Sequence, residues 1–261
     1  MPSPGFLRRI RRVAAHGNEH RDPPWRAGLQ AARANVIPGA FVQAIMLALL
    51  LAYFFLPAAR PAFEFLEGLK AEWGYAYSFT AAMIAGAFIP EILRVAFFQK
   101  GRPTTQNFRN FLFTIPFWGG MGLLVDLLYR LQAQWFGTEL SLAVVVPKVI
   151  VDQFVYNPLV AGPLQVWLYH WKNHGYRCEG LSDMFTARYY RDEIVPTLFA
   201  SWGVWIPIVS ILYSLPPLLQ IPLFSIALSL WVVLYTWISE SAARKRKQGF
   251  DSGAPDAIEK P

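Results

Sequence analysis

The run PKVIVDQFVYNP, residues 147 to 158, sets Lys148, Asp152, Gln153 and Asn157 among valines, isoleucines and aromatics. Lys148 and Asp152 are four apart, so on an α-helix they share a face and can pair as ammonium and carboxylate. Gln153 and Asn157, also four apart, form a second stripe about 140° round from the first. A helix with polar stripes on two sides belongs in the interior of a bundle. Pro158 removes an N–H and frees backbone carbonyls that neighbours or water must satisfy. Two other apolar stretches carry opposite charges at helical spacing: Glu91 with Arg94, and Asp126 with Arg130. Ionisable groups inside a membrane are costly and mark functional sites by default. The functional reading of three such helices is a polar pathway through the bundle. The structural reading is charge that glues helices together or snorkels from span ends.

Chemistry of other kinds finds little support in the chain. His16 with His20 and His170 with His174 form two H-x-x-x-H pairs, but a membrane di-iron site of the desaturase type needs about twice as many histidines. Neither G-x-S-x-G, a phosphate-binding loop nor H-E-x-x-H occurs. The single cysteine, Cys178, excludes an intrachain disulfide and a cysteine-rich metal site. The chain therefore reads as a non-enzyme without metal or cofactor.

The elements that position these residues read as lipid-embedded helices. Hydrophobic residues make up 54% of the 261 positions and charged residues 16%. Soluble domains carry about 25% charge, so the deficit points to lipid as solvent. A span needs about 20 mostly apolar residues. Spans are expected near 37–59, 75–98, 110–131, 143–170, 194–214 and 217–239. The last two come from one run, 194–239, without a charge. As one helix it would reach about 69 Å, twice the hydrocarbon thickness, and Pro216-Pro217 supplies the break. The fold class is thus all-α: a basic arm over 1–35, one transmembrane bundle over 36–240, and a tail over 241–261 that is basic and then, from Gln248, of disordered composition.

Charge placement sets orientation rather than a nucleic-acid surface, despite a net charge of +7. Residues 1–35 hold seven arginines against two acids, Lys100, Arg102 and Arg109 follow the second span, Lys172, Arg177, Arg188 and Arg191 follow the fourth, and ARKRK opens the tail. Arg60 and Lys70 are read as loop cations between the first two spans. The positive-inside rule puts both termini on the cytoplasmic side, or the matrix side in a mitochondrion. The basic ends are placed to meet anionic lipid. The glycines of FWGGMG, Gly119, Gly120 and Gly122, offer a close contact to another helix, in this chain or in a second copy. The extra first span and the acids Glu19 and Asp22 in the leader point to a bacterial inner membrane, with the mitochondrial inner membrane as the alternative.

The string Lys148-x-x-x-Asp152-Gln153-x-x-x-x-Pro158 resembles the hallmark K-x-x-x-D-Q-x-x-x-x-P of the family named for the twenty-two-kilodalton peroxisomal membrane protein. Trp202-x-x-Trp205 followed by Pro207 is similar to that family's N-W-x-x-W-P. Pro217 and the Trp231-x-x-x-Tyr235 segment resemble its closing proline and W-x-x-Y. Ser201 stands where the family has asparagine, Ile206 is inserted before the proline, and Pro90-Glu91 replaces Gly-Asp. The resemblance covers roughly residues 75 to 240. It implies a weakly selective channel for small solutes, with the interior polar residues lining it. A non-transporting scaffold is the alternative, and a metal-dependent intramembrane enzyme comes behind both.

Overall fold

A computed structural model describes residues 24–177 and 181–251. Those residues are 90% helical, with no strand among them, as an all-α bundle requires. We number the helices α1 (Pro24–Ala34), α2 (Val36–Phe55), α3 (Pro57–Phe98), α4 (Thr105–Phe136), α5 (Leu142–Asn173), α6 (Ala187–Tyr213) and α7 (Pro217–Asp251). From α2 to α6, and over Pro217–Ile238 of α7, they are long and apolar enough to cross a membrane. The fold is compatible with an integral membrane protein.

Local chemistry sets the ends. Thr104 and Asn107 form a reciprocal capping box at the start of α4. Gly137, at φ 90°, stops it. The break after Tyr213 falls where the diproline required it, and Pro217 opens α7.

Three boundaries differ from expectation. α2 ends at Phe55 rather than 59, and residues 60–74, expected to be loop, are helical. The cause is burial: Phe63 packs edge-on against Tyr53 of α2, and Lys70 is 2% exposed. Lys70 is therefore not a loop cation. The expected start at residue 75 survives as a kink, because Gly74 adopts φ 53° and ψ −121°, a conformation that L side chains rarely reach. α7 runs through Asp251, past the expected end at 239, so 248–251 are helical rather than disordered. Good helix formers, alanine, arginine and lysine, fill that extension.

The core lies where α2, α6 and α7 meet, around Val42, Met46, Ile208, Leu212, Leu219 and Leu223. α3 packs on α4 and α7, and α6 on α1 and α2. Two of the three glycines expected to form a contact, Gly119 and Gly122, do so within the chain. A Cβ on Gly119 would lie 2.2 Å from the Phe79 ring, and one on Gly122 would lie 2.4 Å from the Ser78 carbonyl oxygen. Gly120 has open space beside it. α3 and α4 thus approach to backbone contact, which is what brings Ser78 and Lys70 to Asp126.

Candidate functional site: three interior polar clusters

The first cluster joins α3 to α4. The Lys70 ammonium donates to Asp126 Oδ2 at 2.5 Å, to Ser78 Oγ at 2.7 Å and to the Gly74 carbonyl at 2.8 Å. All three of its protons are used. The Ser78 hydroxyl donates to the same carboxylate oxygen at 2.7 Å. Arg130 Nε donates to the other at 3.0 Å, and its guanidinium lies 4.4 Å from the centre of the Tyr75 ring. The expected Asp126–Arg130 pair forms, but the buried partner is Lys70. Lys70, Ser78 and Asp126 are each at most 2% exposed. Closed in this way, the cluster cross-links two helices.

The second cluster joins α3, α4 and α7. Glu91, 2% exposed, accepts from Arg94 Nη1 at 2.6 Å, from Asn107 Nδ2 at 2.6 Å and from Asn110 Nδ2 at 2.9 Å. Arg94 also donates through Nε to Glu240 at 2.8 Å. The expected Glu91–Arg94 pair is thus one link of a chain that reaches the last helix. Here, too, each charge has an opposite partner, with Arg94 shared by two acids.

The third cluster contains the segment 147–158 and differs in kind. Lys148 and Asp152 do not pair: among the described residues no carboxylate lies within 4 Å of the Lys148 ammonium, which sits 5.8 Å from the centre of the Tyr213 ring. Asp152 accepts instead from the Tyr213 hydroxyl at 2.6 Å and from Gln153 Nε2 at 2.8 Å. Gln132 of α4 donates to the Tyr213 hydroxyl at 3.0 Å. Lys148 is 1% exposed, Asp152 7%, Gln153 3% and Gln132 0%. Polar atoms are left over: Gln132 Oε1, Gln153 Oε1 and the Tyr156 hydroxyl are buried without a hydrogen-bond partner.

The backbone changes register at Asp152. From Asp152 to Ala161 the helix winds in the wider π form, in which each N–H reaches back five residues; Gly162 N–H bonds the Asn157 carbonyl. That register begins beyond the Lys148–Asp152 turn, where the Asp152 N–H still bonds the Lys148 carbonyl; the Asp152 carboxylate is instead turned to Tyr213 and Gln153. Gln153 bonds its neighbour Asp152 instead of forming a second stripe with Asn157. Asn157 is left with a long contact, 3.5 Å, to Ser201 Oγ.

Prolines explain the wide register. Pro158 has no N–H for the carbonyl five residues back, that of Gln153, and the Trp202 indole N–H donates to it at 2.8 Å. Pro163, five residues further, leaves the Pro158 carbonyl, which the Tyr190 hydroxyl satisfies at 2.9 Å. Both donors come from α6. Pro207 of α6, in ordinary α register, orphans the Gly203 carbonyl, and Gln43 Nε2 of α2 donates to it at 2.9 Å and to Val204 at 3.1 Å. The freed carbonyls are thus met by side chains of neighbouring helices, as lipid requires.

Of the other motif residues, Trp205 packs on Phe224 of α7 and Trp231 stacks on Tyr235 within α7. The His170 and His174 rings stack 4.0 Å apart, and His174 Nδ1 lies 2.8 Å from the His170 carbonyl oxygen. His16, His20 and Cys178 lie outside the described residues. Sequence reasoning missed Lys70, Ser78, Gln132, Tyr213 and the donors Tyr190 and Gln43. The Pro158–Pro163 spacing of five was a readable sign of the π register. Nothing in the sequence set Gln132 or Tyr213 apart.

No protein-family model matches the chain, and neither a curated protein nor a solved structure is significantly similar to it.

Proposed function

We propose that the protein is a weakly selective membrane channel for small solutes, with the third cluster on its route. One observation carries this reading. Lys148 is a fully buried cation with no anion within 4 Å among the described residues, whereas buried Lys70, Glu91 and Asp126 each sit in an ion pair. An uncompensated ion in a dry interior costs several kcal/mol. Protein that keeps it there must supply polar contact of another kind, and water or a passing solute supplies it. The unpartnered oxygens of Gln132 and Gln153 favour the same reading. The resemblance of the Lys148–Asp152–Gln153–Pro158 string to the peroxisomal membrane protein family supports it from sequence.

The scaffold reading is favoured by a different observation: Glu91, Arg94, Asp126 and Arg130 are tied into closed cross-links. We assign these four to helix glue and the third cluster to transport. Purified protein in liposomes separates the two readings. A channel releases a trapped small solute faster than protein-free vesicles do. Release at the protein-free rate would leave the scaffold.

A further inference from the structure

The polar groups around Tyr213 have a composition that points to a class of solute. Lys148, Asp152 and Gln132 converge on that one side chain from two helices, and Gln153 is bonded to Asp152. Both glutamines turn their N–H groups inward, to the phenol and the carboxylate, and leave their carbonyl oxygens bare. Lys148 offers donors. The cluster thus presents hydrogen-bond acceptors and a donor together, all on side chains at most 3% exposed.

Charge adds the second half. Pores that select ions of one sign line the route with rings of the opposite sign. Here a buried lysine and a buried aspartate stand on one helix without neutralising each other by contact. A cation on this route meets Lys148, and an anion meets Asp152. Like charges in a low-dielectric interior repel strongly, so neither ion passes cheaply. A neutral molecule escapes both penalties. One that bears O–H or N–H donors and an oxygen acceptor also satisfies the bare glutamine oxygens and the ammonium at once.

We propose that the Lys148–Tyr213 cluster is a binding site for small neutral hydrogen-bonding solutes of polyol or amide type, and that it passes them in preference to ions. This rests on the channel reading. Glycerol and urea are suitable probes, with KCl as the ionic comparison.

The test is stopped-flow light scattering of liposomes holding the full chain, set against their K⁺ and Cl⁻ conductance. Glycerol or urea should cross well above the protein-free rate, with ion conductance at the background level. Gln132→Leu and Lys148→Met should each slow the neutral solute by roughly fivefold, the worth of one hydrogen bond. Circular dichroism and elution volume check folding, and Lys148→Arg replaces Lys148→Met if the latter fails to fold; it keeps the charge and should keep ion exclusion. K⁺ or Cl⁻ moving as fast as glycerol would overturn the solute assignment while leaving a channel. Neutral flux unchanged in folded Gln132→Leu would overturn the site. No flux of any solute would overturn the channel reading and this one with it.

Discussion

The Trp202 indole N–H donates to the Gln153 carbonyl at 2.8 Å, the carbonyl that Pro158 leaves without a partner. A proline on one helix and a tryptophan on another are thus coupled through a third group that belongs to neither. The Tyr190–Pro158–Pro163 and Gln43–Gly203–Pro207 sets repeat the relation. The first two sets serve the π segment of α5, and the third serves α6.

Trp202→Phe keeps the ring packing on Phe154 and Phe199 and removes only the donor. It should destabilise the protein by about 1–3 kcal/mol, the cost of a buried carbonyl left unpaired. Pro158→Ala restores a backbone N–H to the segment, so the cost of Trp202→Phe should shrink in that background. A double-mutant cycle on thermal midpoints in detergent measures the coupling. Additive effects would separate Trp202 from Pro158.

Lys70 and Asp126 should behave as a buried pair. Lys70→Met alone leaves Asp126 with Arg130 and Ser78, and Asp126→Leu alone leaves Lys70 charged with only the Gly74 carbonyl and Ser78. Each single change should cost about 3–5 kcal/mol, and the double variant far less than their sum. Chemical denaturation of the three variants checks this.

The two acids that share Arg94 should differ in kind. Glu91 is buried, so Glu91→Gln should cost about 3–5 kcal/mol and be indifferent to salt. Glu240, with its side chain 31% exposed, should lose at most about 1 kcal/mol on conversion to glutamine, and added salt should erase the difference. Melting both variants at low and high ionic strength is the measurement.

Gly122→Leu drives a side chain into the Ser78 carbonyl and the Ala82 methyl. It should cost several kcal/mol, the range of core overpacking and beyond. Gly120→Leu, where there is open space, should be nearly neutral. Comparing yields of folded protein for the two separates helix contact from a general intolerance of bulk.

Much of this fold could be read from residue order. The charge-free run over 194–239 with Pro216-Pro217 inside it required two helices and a break, and both are there. Glu91–Arg94 and Asp126–Arg130 followed from helical spacing alone. Lys70 did not, because a lysine amid glutamates and two glycines looks like loop; only the approach of α4 through Gly119 and Gly122 buries it. The Lys148–Asp152 pair failed although its turn keeps the α register, because Tyr213 and Gln153 take the Asp152 carboxylate. Gln132 and Tyr213 reach the site through contacts distant in sequence, which no local pattern encodes.

A channel on this route requires the interior around Lys148 to meet water. Cysteine accessibility tests it directly. Cys178, the single native cysteine, is first replaced by alanine. Lys148→Cys and Gln132→Cys in that background are then exposed to a membrane-impermeant thiol reagent in sealed vesicles. The account predicts that both cysteines react from the aqueous phase, and that reaction at either one lowers solute flux. Complete protection of both in folded, membrane-inserted protein would mean a dry core and would contradict the account.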